Sequence, residues 1–431
     1  MTAARWRAEG REQAHLTWHL VRWIALGAAS GVLAGASSWL FLEGLDRITT
    51  YRLDHPWLLY LLPLAGVVIA GAYHYAGGRS AQGNALLIDQ IHEPTEWVPR
   101  RMAPLVLVGT WVTHLFGGSA GREGTALQMS GSLTDALARL LRLDRDDRRL
   151  LLVAALAGGF GAVFGVPLAG AVFAMEVQSI GRVRYEAIVP ALTAAVVGDL
   201  VVGALGHAHA LRPQFDVPLD GWLLGRVALA GLAFGLAGAS FAELTHAIKA
   251  GTAKVLPWPP ARAFAGGAAV VGLALLFGRQ YLGLSLPLVD TALSGAHVGW
   301  WVFLLKIVFT AVTLGCGFPG GEVTPLFVVG ATLGGALGPA LHLDPRLLAA
   351  VGFVSVFAGA ANVPLACTIM GAELFGGGTL VVMAVGCVGA YVFSSHRGIY
   401  ATQRIHAAKG PGAISGRPTL AVWSRRHQRR S

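Results

Sequence analysis

The chain has 431 residues and a net charge of +10, yet only 13% of its residues are charged and 54% are hydrophobic. Soluble domains carry about 25% charged residues, so this composition excludes an ordinary soluble protein. The basic residues lie mainly in the two ends and in short loops, which excludes a nucleic-acid-binding surface and predicts that both ends face the cytoplasm.

Eleven apolar segments follow one another along the chain. Most of them approach the ~20 residues needed to cross a bilayer, and the longest has room for a broken helix or two short ones. We therefore predict an all-α, polytopic helical membrane protein. The segments are residues 23–42, 57–76, 102–118, 150–175, 188–205, 222–241, 263–277, 300–318, 323–341, 347–365 and 381–393.

Glycine is unusually frequent, with 58 copies in the chain, about twice the usual ~7%. Small residues let helices pack closely in lipid, and this packing accounts for most of them. They also permit a helix to break where the freed backbone lines a cavity. The glycine pairs at 117–118, 158–159 and 320–321 mark the predicted breaks.

An ionisable pair lies within the glycine-rich string Gly121-Arg122-Glu123-Gly124-Thr125. Charged residues at membrane depth are costly and usually mark an ion path or a proton relay. Adjacent residues do not face each other on a helix, so a simple Arg122–Glu123 ion pair is disfavoured. Glycines before a helix leave its first amides exposed, and a helix N-terminus attracts anions. The string predicts an anion site beside a titratable carboxylate.

The sequence contains an internal repeat. Glu123, Thr125 and Leu127 match Glu322, Thr324 and Leu326, each 199 residues later. The string Val-Pro-Leu-Ala at 166–169 recurs at 363–366, and Glu176 and Glu373 share the same spacing of 197 residues. Internal repeats in membrane proteins suggest transporters and channels with sites at the ends of discontinuous helices.

The repeat predicts the organisation of the chain. Two membrane repeats are joined by a loop that contains Pro213 and Pro218. The predicted parts are a cytoplasmic segment at 1–20, a first repeat at 21–205, the loop at 206–221, a second repeat at 222–405 and a short basic cytoplasmic tail at 406–431.

Three motifs in this order resemble the CLC family of chloride channels and anion/proton antiporters. Residues 121–124 resemble the family's G-K/R-E-G-P motif, and residues 317–325 resemble its G-x-P-G-G-x-F-x-P motif. Tyr400 resembles the tyrosine that coordinates the central anion. The resemblance implies two inverted repeats, many tilted or broken intramembrane helices, and a homodimer with one pore in each subunit.

Three departures from the usual family pattern resemble the fluoride-exporting clade. Asn84, after Gly83, replaces a serine, Thr125 replaces a proline, and Val323 replaces a phenylalanine. Fluoride holds its water more tightly than chloride, so its site needs dense donors, and a carboxamide supplies two N–H groups where a hydroxyl supplies one. The alternative for Asn84 is an ordinary helix cap.

We predict that Glu123 is the gate and the proton carrier. Ionised, its carboxylate occupies the amide-lined site; protonated, it swings away and admits the substrate. Arg122 anchors its loop or adds positive potential, and the alternative for Tyr400 is an interfacial aromatic residue. The predicted anion-binding residues are Gly83, Asn84, Gly121, Arg122, Gly124, Thr125, Val323, Thr324 and Tyr400.

Three further ionisable residues have two interpretations each. Glu322 is a second titrating group or is hydrogen-bonded within its loop. Glu176 lies near the place where antiporters of the resembled family carry an internal proton-transfer glutamate, but the acidic pair expected there is missing. Lys306 attracts anions or extends its ammonium towards a membrane interface.

The predicted function is fluoride export in exchange for protons across a bacterial inner membrane. A chloride/proton antiporter and a passive chloride channel of the same family are the alternatives. The histidines at 92, 114 and 207–209 lack ligand spacing, so we predict no metal, no cofactor and no enzymatic activity. The expected partners are fluoride or chloride ions, protons, lipids and a second copy of the chain.

Overall fold

The computed structural model describes residues 3–210, 212–410, 416 and 418–423. Within them the chain is almost entirely helical, which confirms the predicted fold class. The sixteen α-helices are α1 (Ala3–Asp54), α2 (Leu62–Ala72), α3 (Asn84–His92), α4 (Met102–Leu115), α5 (Glu123–Leu140), α6 (Arg145–Phe164), α7 (Pro167–Glu176), α8 (Ile188–Ala204), α9 (Gly221–Val255), α10 (Pro259–Phe277), α11 (Leu286–Leu293), α12 (Val302–Gly315), α13 (Val323–Ala340), α14 (Pro345–Ala361), α15 (Pro364–Phe375) and α16 (Leu380–Phe393).

Six helical segments in the described part of the chain are long and apolar enough to cross a membrane. Several others are too short to do so alone, as expected of broken intramembrane helices. The longest apolar segment of the sequence divides into α6 and α7, because Gly165 adopts a left-handed conformation (φ +69°) and Pro167 begins the next helix. The six segments are Glu12–Asp54, Pro56–His92, Tyr185–Ala204, Gly221–Val255, Pro259–Phe277 and Val323–Ala340.

The two halves of the chain repeat the same order of eight helices. Helices α4 and α5 have the bounds of α12 and α13 minus 200 residues. Helix α14 is shorter than α6, 17 residues against 20, so the spacing falls to 197 residues after it. At the glutamate motif the spacing is therefore 200 and not 199. This corrects the alignment of Glu123 with Glu322: Glu123 is equivalent to Val323, and Arg122 to Glu322.

The predicted boundaries follow the helices closely but not everywhere. Helix α8 ends at Ala204 and α9 begins at Gly221, so the predicted loop at 206–221 fills the gap between the halves. Helix α1 runs without a break through residue 20, where a separate segment was predicted. Residues 411–415, 417 and 424–431 of the predicted tail lie outside the described residues.

Side-chain caps and close backbone contacts explain where helices begin and how they pack. The Asp144, Asp220 and Asp344 carboxylates accept amide hydrogens at the starts of α6, α9 and α14, which satisfies orphan donors there. Helices α13 and α14 approach so closely at Gly330 that a methyl group there would collide with the Gly352 carbonyl. Glycine thus permits the close packing predicted from composition.

The C-terminal segment returns to the first half of the molecule. Its strand β2 (Arg404–Ile405) pairs in parallel with β1 (Ser179–Ile180), which follows α7. This short sheet holds the segment that carries Tyr400 against the helical body.

Candidate functional site

Two helix N-termini, one from each repeat, meet in the interior. Gly121 N donates to Gly321 O at 2.7 Å, and Gly321 N donates to Gly121 O at 2.9 Å. This antiparallel bridge precedes α5, which begins at Glu123, and α13, which begins at Val323. The partial positive charges of both helix dipoles therefore converge in one place.

The Glu123 carboxylate lies at the N-terminus of α13. It accepts hydrogen bonds from Val323 N at 2.6 Å, from Thr324 N at 3.2 Å and from Thr324 Oγ1 at 3.1 Å. Arg122 N also donates to it at 3.0 Å, and the side chain is buried. The carboxylate thus occupies a set of donors that suits any small anion.

Glycine makes this approach possible. A methyl group at Gly321 would collide with the Glu123 carboxylate. One at Gly124 would stand 3.3 Å from Asn84 Nδ2 and 3.3 Å from Gly320 O. The glycines of both motifs therefore leave room for a carboxylate and a side-chain amide beside the helix ends.

Asn84 lies next to the start of α5 and does not cap α3. The cap position is Gly83 (φ +58°), and Asn84 is the first residue of the helix. Asn84 Oδ1 is buried without a hydrogen-bond partner within the described residues. Capping alone is therefore the wrong interpretation of this residue.

The Thr125 and Arg122 side chains point elsewhere than the Glu123 carboxylate. Thr125 Oγ1 is 2.7 Å from Thr110 Oγ1 on α4, so its hydroxyl joins two helices. The Arg122 guanidinium lies over the ring of Phe164, 5.5 Å from its centroid. Arg122 thus contacts the carboxylate through its backbone and adds positive charge nearby.

A cavity of about 30 Å³ adjoins the site and has room for a water-sized particle. Thr324 forms part of its wall. Three basic side chains also line it: Arg122, and His209 and Arg212 from the loop between the repeats. Arg212 donates to the Asp290 carboxylate at 2.9 Å, so its charge is largely offset, and Arg122 supplies positive charge beside Thr324.

Tyr400 is buried in the same region. The charges of Glu322 and Glu123 both act on its hydroxyl. Its loop is held by Gln403, whose N donates to Tyr400 O at 3.0 Å and whose Nε2 donates to Val177 O at 2.8 Å. The structure therefore brings the predicted tyrosine towards the two helix N-termini and does not leave it in an interfacial belt.

Comparison with known proteins agrees with this geometry. The family model described as voltage gated chloride channel matches residues 65–395. The chain belongs to the CLC family. A chloride/fluoride channel protein of Pseudomonas syringae pv. tomato is 46% identical over 407 residues, which cover 92% of this chain and 90% of that protein.

Solved CLC structures share the fold. A CLC-type fluoride/proton antiporter superposes with a TM-score of 0.87 at 35% identity, covering 90% of this chain and 99% of the other. A slow cyanobacterial Cl⁻/H⁺ antiporter superposes with a TM-score of 0.73 at 20% identity, covering 96% and 98%. The second likeness shows the fold alone, whereas the first extends to the sequence.

The two other candidate glutamates of this CLC chain, Glu176 and Glu322, have different surroundings. Glu176 accepts from Leu365 N at 3.1 Å and from Ala366 N at 2.9 Å, so it caps α15. Glu322 precedes α13, and the charges of Glu123 and Lys249 act on it. Glu176 therefore has a structural partner, while Glu322 lies within electrostatic range of the site.

Several polar residues near the site were missed by sequence reasoning. The side chain of Gln128 on α5 lies beside Gly83, with Nε2 3.4 Å from the place of a methyl group on that glycine. Gln403 holds the Tyr400 loop, and His209 and Arg212 line the cavity. None belongs to a motif or to a pair of identical residues in the two repeats, so no sequence signal distinguishes them from ordinary loop and helix residues.

Proposed function

We propose that this CLC protein exports fluoride across a bacterial inner membrane in exchange for protons, with Glu123 as gate and proton carrier. The observation that carries the proposal is the Glu123 carboxylate on the α13 amides. An ionised carboxylate and a halide compete for the same donors. Protonation of Glu123 weakens these charge-assisted hydrogen bonds, so the side chain leaves and a halide enters.

The residues around Glu123 support fluoride as the substrate. Val323 N, Thr324 N and the Thr324 hydroxyl all donate to one carboxylate, and Asn84 places a carboxamide at the start of α5. Such a dense set of donors replaces the tightly held water of a small anion. The relatives named as a chloride/fluoride channel and as a fluoride/proton antiporter also support fluoride.

Other members of the family transport chloride, which gives two alternative functions. An H⁺/Cl⁻ exchange transporter of Vibrio cholerae is 28% identical over 70% of this chain and 68% of that protein. A chloride/proton antiporter is therefore the second candidate, and a passive chloride channel is the third.

The proposal is tested with purified protein in liposomes that hold equal fluoride and chloride. Ion-selective electrodes follow each anion, and a pH gradient is imposed as the only driving force. We expect the native protein to build up a fluoride gradient from equal concentrations on the two sides and to move little chloride. Glu123→Gln should abolish proton-driven fluoride movement, whereas Glu12→Gln on the exposed part of α1 should not.

Each alternative has its own result in this assay. Equal release of the two anions contradicts fluoride selectivity and favours the chloride exchanger. Fluoride flow that never rises against its gradient contradicts proton coupling and favours a channel. The variant Asn84→Ser should shift native selectivity towards chloride if the carboxamide provides the selective donors.

We further propose a homodimer with both termini in the cytoplasm. Helix α8 has exposed apolar side chains at every fourth position: Ile188, Leu192, Val196 and Leu200. These positions follow one side of the helix. Such a surface is expected to be covered by a second subunit or by lipid. A measured protein mass of twice the 45.0 kDa chain in mild detergent is expected, and a mass of one chain would contradict the dimer.

A further inference from the structure

Lys306 lies on α12 with its side chain entirely buried. Four oxygens lie within hydrogen-bond distance of its Nζ and share its N–H donors: Ser119 Oγ at 2.9 Å, Ser285 Oγ at 2.8 Å, Gly283 O at 2.9 Å and Tyr281 O at 3.2 Å. We call these four residues the lysine cage. The alternative of an ammonium extended towards the interface is therefore wrong.

The lysine cage contains hydroxyls and carbonyls and no carboxylate. The charged group that acts on Lys306 is Arg52, which is also basic. A buried lysine whose hydrogen-bond partners include no carboxylate is costly in a membrane and usually has a function. The four oxygens hold the lysine head by hydrogen bonds alone.

The lysine cage is connected to the anion site through a short chain segment. Ser119 precedes Gly121 by two residues, and Gly121 forms the bridge with Gly321 that aligns α5 and α13. Gly283 N also donates to Gly118 O at 3.1 Å. Lys306 thus ties the segment 118–121 to the segment 281–285.

The first repeat does without such a lysine. The position equivalent to Lys306, 200 residues earlier, holds Val106, which is buried in an apolar cluster. Helix α4 has the same length and place in its repeat as α12. The fold of this helix therefore does not require a basic residue at this position.

We propose that Lys306 is a positioning residue that aligns the donors of the anion site. It acts by holding Ser119, and through Ser119 the Gly121–Gly321 bridge. Without the lysine, the oxygens of the cage lose this donor. Ser119 keeps its hydrogen bonds with Thr310 and Thr313 on α12 but loses its tie to residues 281–285, so the segment 118–121 relaxes away from α13. This inference rests on the proposed function, since it concerns the affinity of that site for the transported halide.

The test compares halide KM and maximal rate in liposomes for Lys306→Met, with Lys254→Met on the exposed end of α9 as the control. Loss of hydrogen bonds from a charged group predicts a KM for fluoride at least about ten-fold higher in Lys306→Met. The maximal rate should fall less than the affinity, and the control should match the native protein. In Lys306→Ala, added propylammonium should lower the KM again, because it replaces the missing atoms.

A matched pair of smaller changes keeps the test valid if Lys306→Met does not fold. Ser119→Ala removes the hydroxyl that Lys306 Nζ and Thr310 Oγ1 both contact, so the link to the segment 118–121 is lost and the KM should rise about three-fold. Ser294→Ala at the exposed end of α11 removes a hydroxyl that donates to Thr291 O, outside the lysine cage, and should leave the KM unchanged. The proposal is overturned by folded Lys306→Met or Ser119→Ala proteins with native KM, or by a loss of rate that only follows a loss of thermal stability.

Measuring the KM for chloride in the same variants tests the positioning role of Lys306 separately from the proposal of fluoride export. If the native protein carries chloride and not fluoride, the fluoride proposal fails. The chloride KM of Lys306→Met then still decides whether the lysine aligns the site.

Discussion

At the scale of single residues, the site depends on the Glu123 carboxylate and on two glycines, Gly124 and Gly321, which leave room beside it. The sequence predicted the importance of Glu123 because an acidic residue among glycines inside an apolar region is rare and costly. It also placed Val323 and Thr324 among the anion-binding residues, but it did not show which of their atoms donate to this carboxylate. The two backbone amides and the Thr324 hydroxyl point at Glu123 because α13 begins at Val323.

Gly321 provides a prediction at this scale. A methyl group there takes the place of the carboxylate, so Gly321→Ala should displace Glu123 from the α13 amides. Since overpacking by a methyl group costs about 1–3 kcal/mol, we expect proton-driven fluoride transport to fall by about ten-fold or more. The fluoride flux of the variant reconstituted in liposomes measures this decrease.

Gly335→Ala, on the helix α13 that follows Gly321, is the matched control for this change. A methyl group there meets its nearest neighbour, Ala292 Cβ, at 3.5 Å, an ordinary contact. If Gly321→Ala transports fluoride at the native rate and with native proton coupling, transport does not require the Glu123 carboxylate to bind the amides of α13.

At the scale of secondary-structure elements, the ends of helices matter more than their lengths. Asn84 illustrates the difference between sequence and structure: the sequence left an anion donor and a helix cap as alternatives, whereas α3 begins one residue earlier than a cap at Asn84 would require. The C-terminal segment is equally dependent on its contacts. Its position comes from Gln403, the short β1–β2 pairing and Lys409.

Lys409 provides a pH-dependent prediction for this segment. Lys409 Nζ donates to Tyr391 O at 2.8 Å and to Ser394 Oγ at 2.9 Å, which docks the segment on the end of α16. Burial lowers the pKa of Lys409 from 10.5 to about 7. An undocked Lys409 regains its ordinary pKa and binds a proton, so falling pH between about 10 and about 7 favours release.

Limited proteolysis at a series of pH values measures this release. We expect cleavage within residues 404–410 to increase as the pH falls through this window and to level off below pH 7. The native protein and Lys409→Met are digested side by side at each pH, because the pH dependence of the protease itself affects both equally. An equal response of the two proteins would contradict a role for Lys409.

At the scale of the whole molecule, the two repeats are joined by a reciprocal pair of glutamates. Glu176 caps α15 of the second repeat, and Glu373 accepts from Leu168 N at 2.9 Å and Ala169 N at 2.8 Å, at the start of α7 in the first. The repeat alignment predicted that Glu176 and Glu373 are equivalent. Only the folded chain shows that each binds the other repeat's helix.

Removing one of these caps should weaken the contact between the repeats. Glu373→Ala leaves two helix amides without an acceptor, and the loss of a helix cap costs about 0.5–2 kcal/mol. We expect a thermal midpoint several degrees lower in detergent, measured by intrinsic fluorescence. Glu186→Ala is the control, because that side chain is exposed and its ion pair with Arg184 contributes little. An unchanged midpoint in Glu373→Ala would contradict a stabilising cap.

The sequence by itself determined the membrane fold, the two repeats and the central place of Glu123. Apolar length, glycine content and spaced motifs are local properties, and each follows from what a bilayer and a helix backbone require. Only the tertiary structure decided the one-residue correction of the repeat, the donors around the Glu123 carboxylate and the cage of Lys306. These depend on distances between segments far apart in the chain, which close packing sets and which local sequence does not encode.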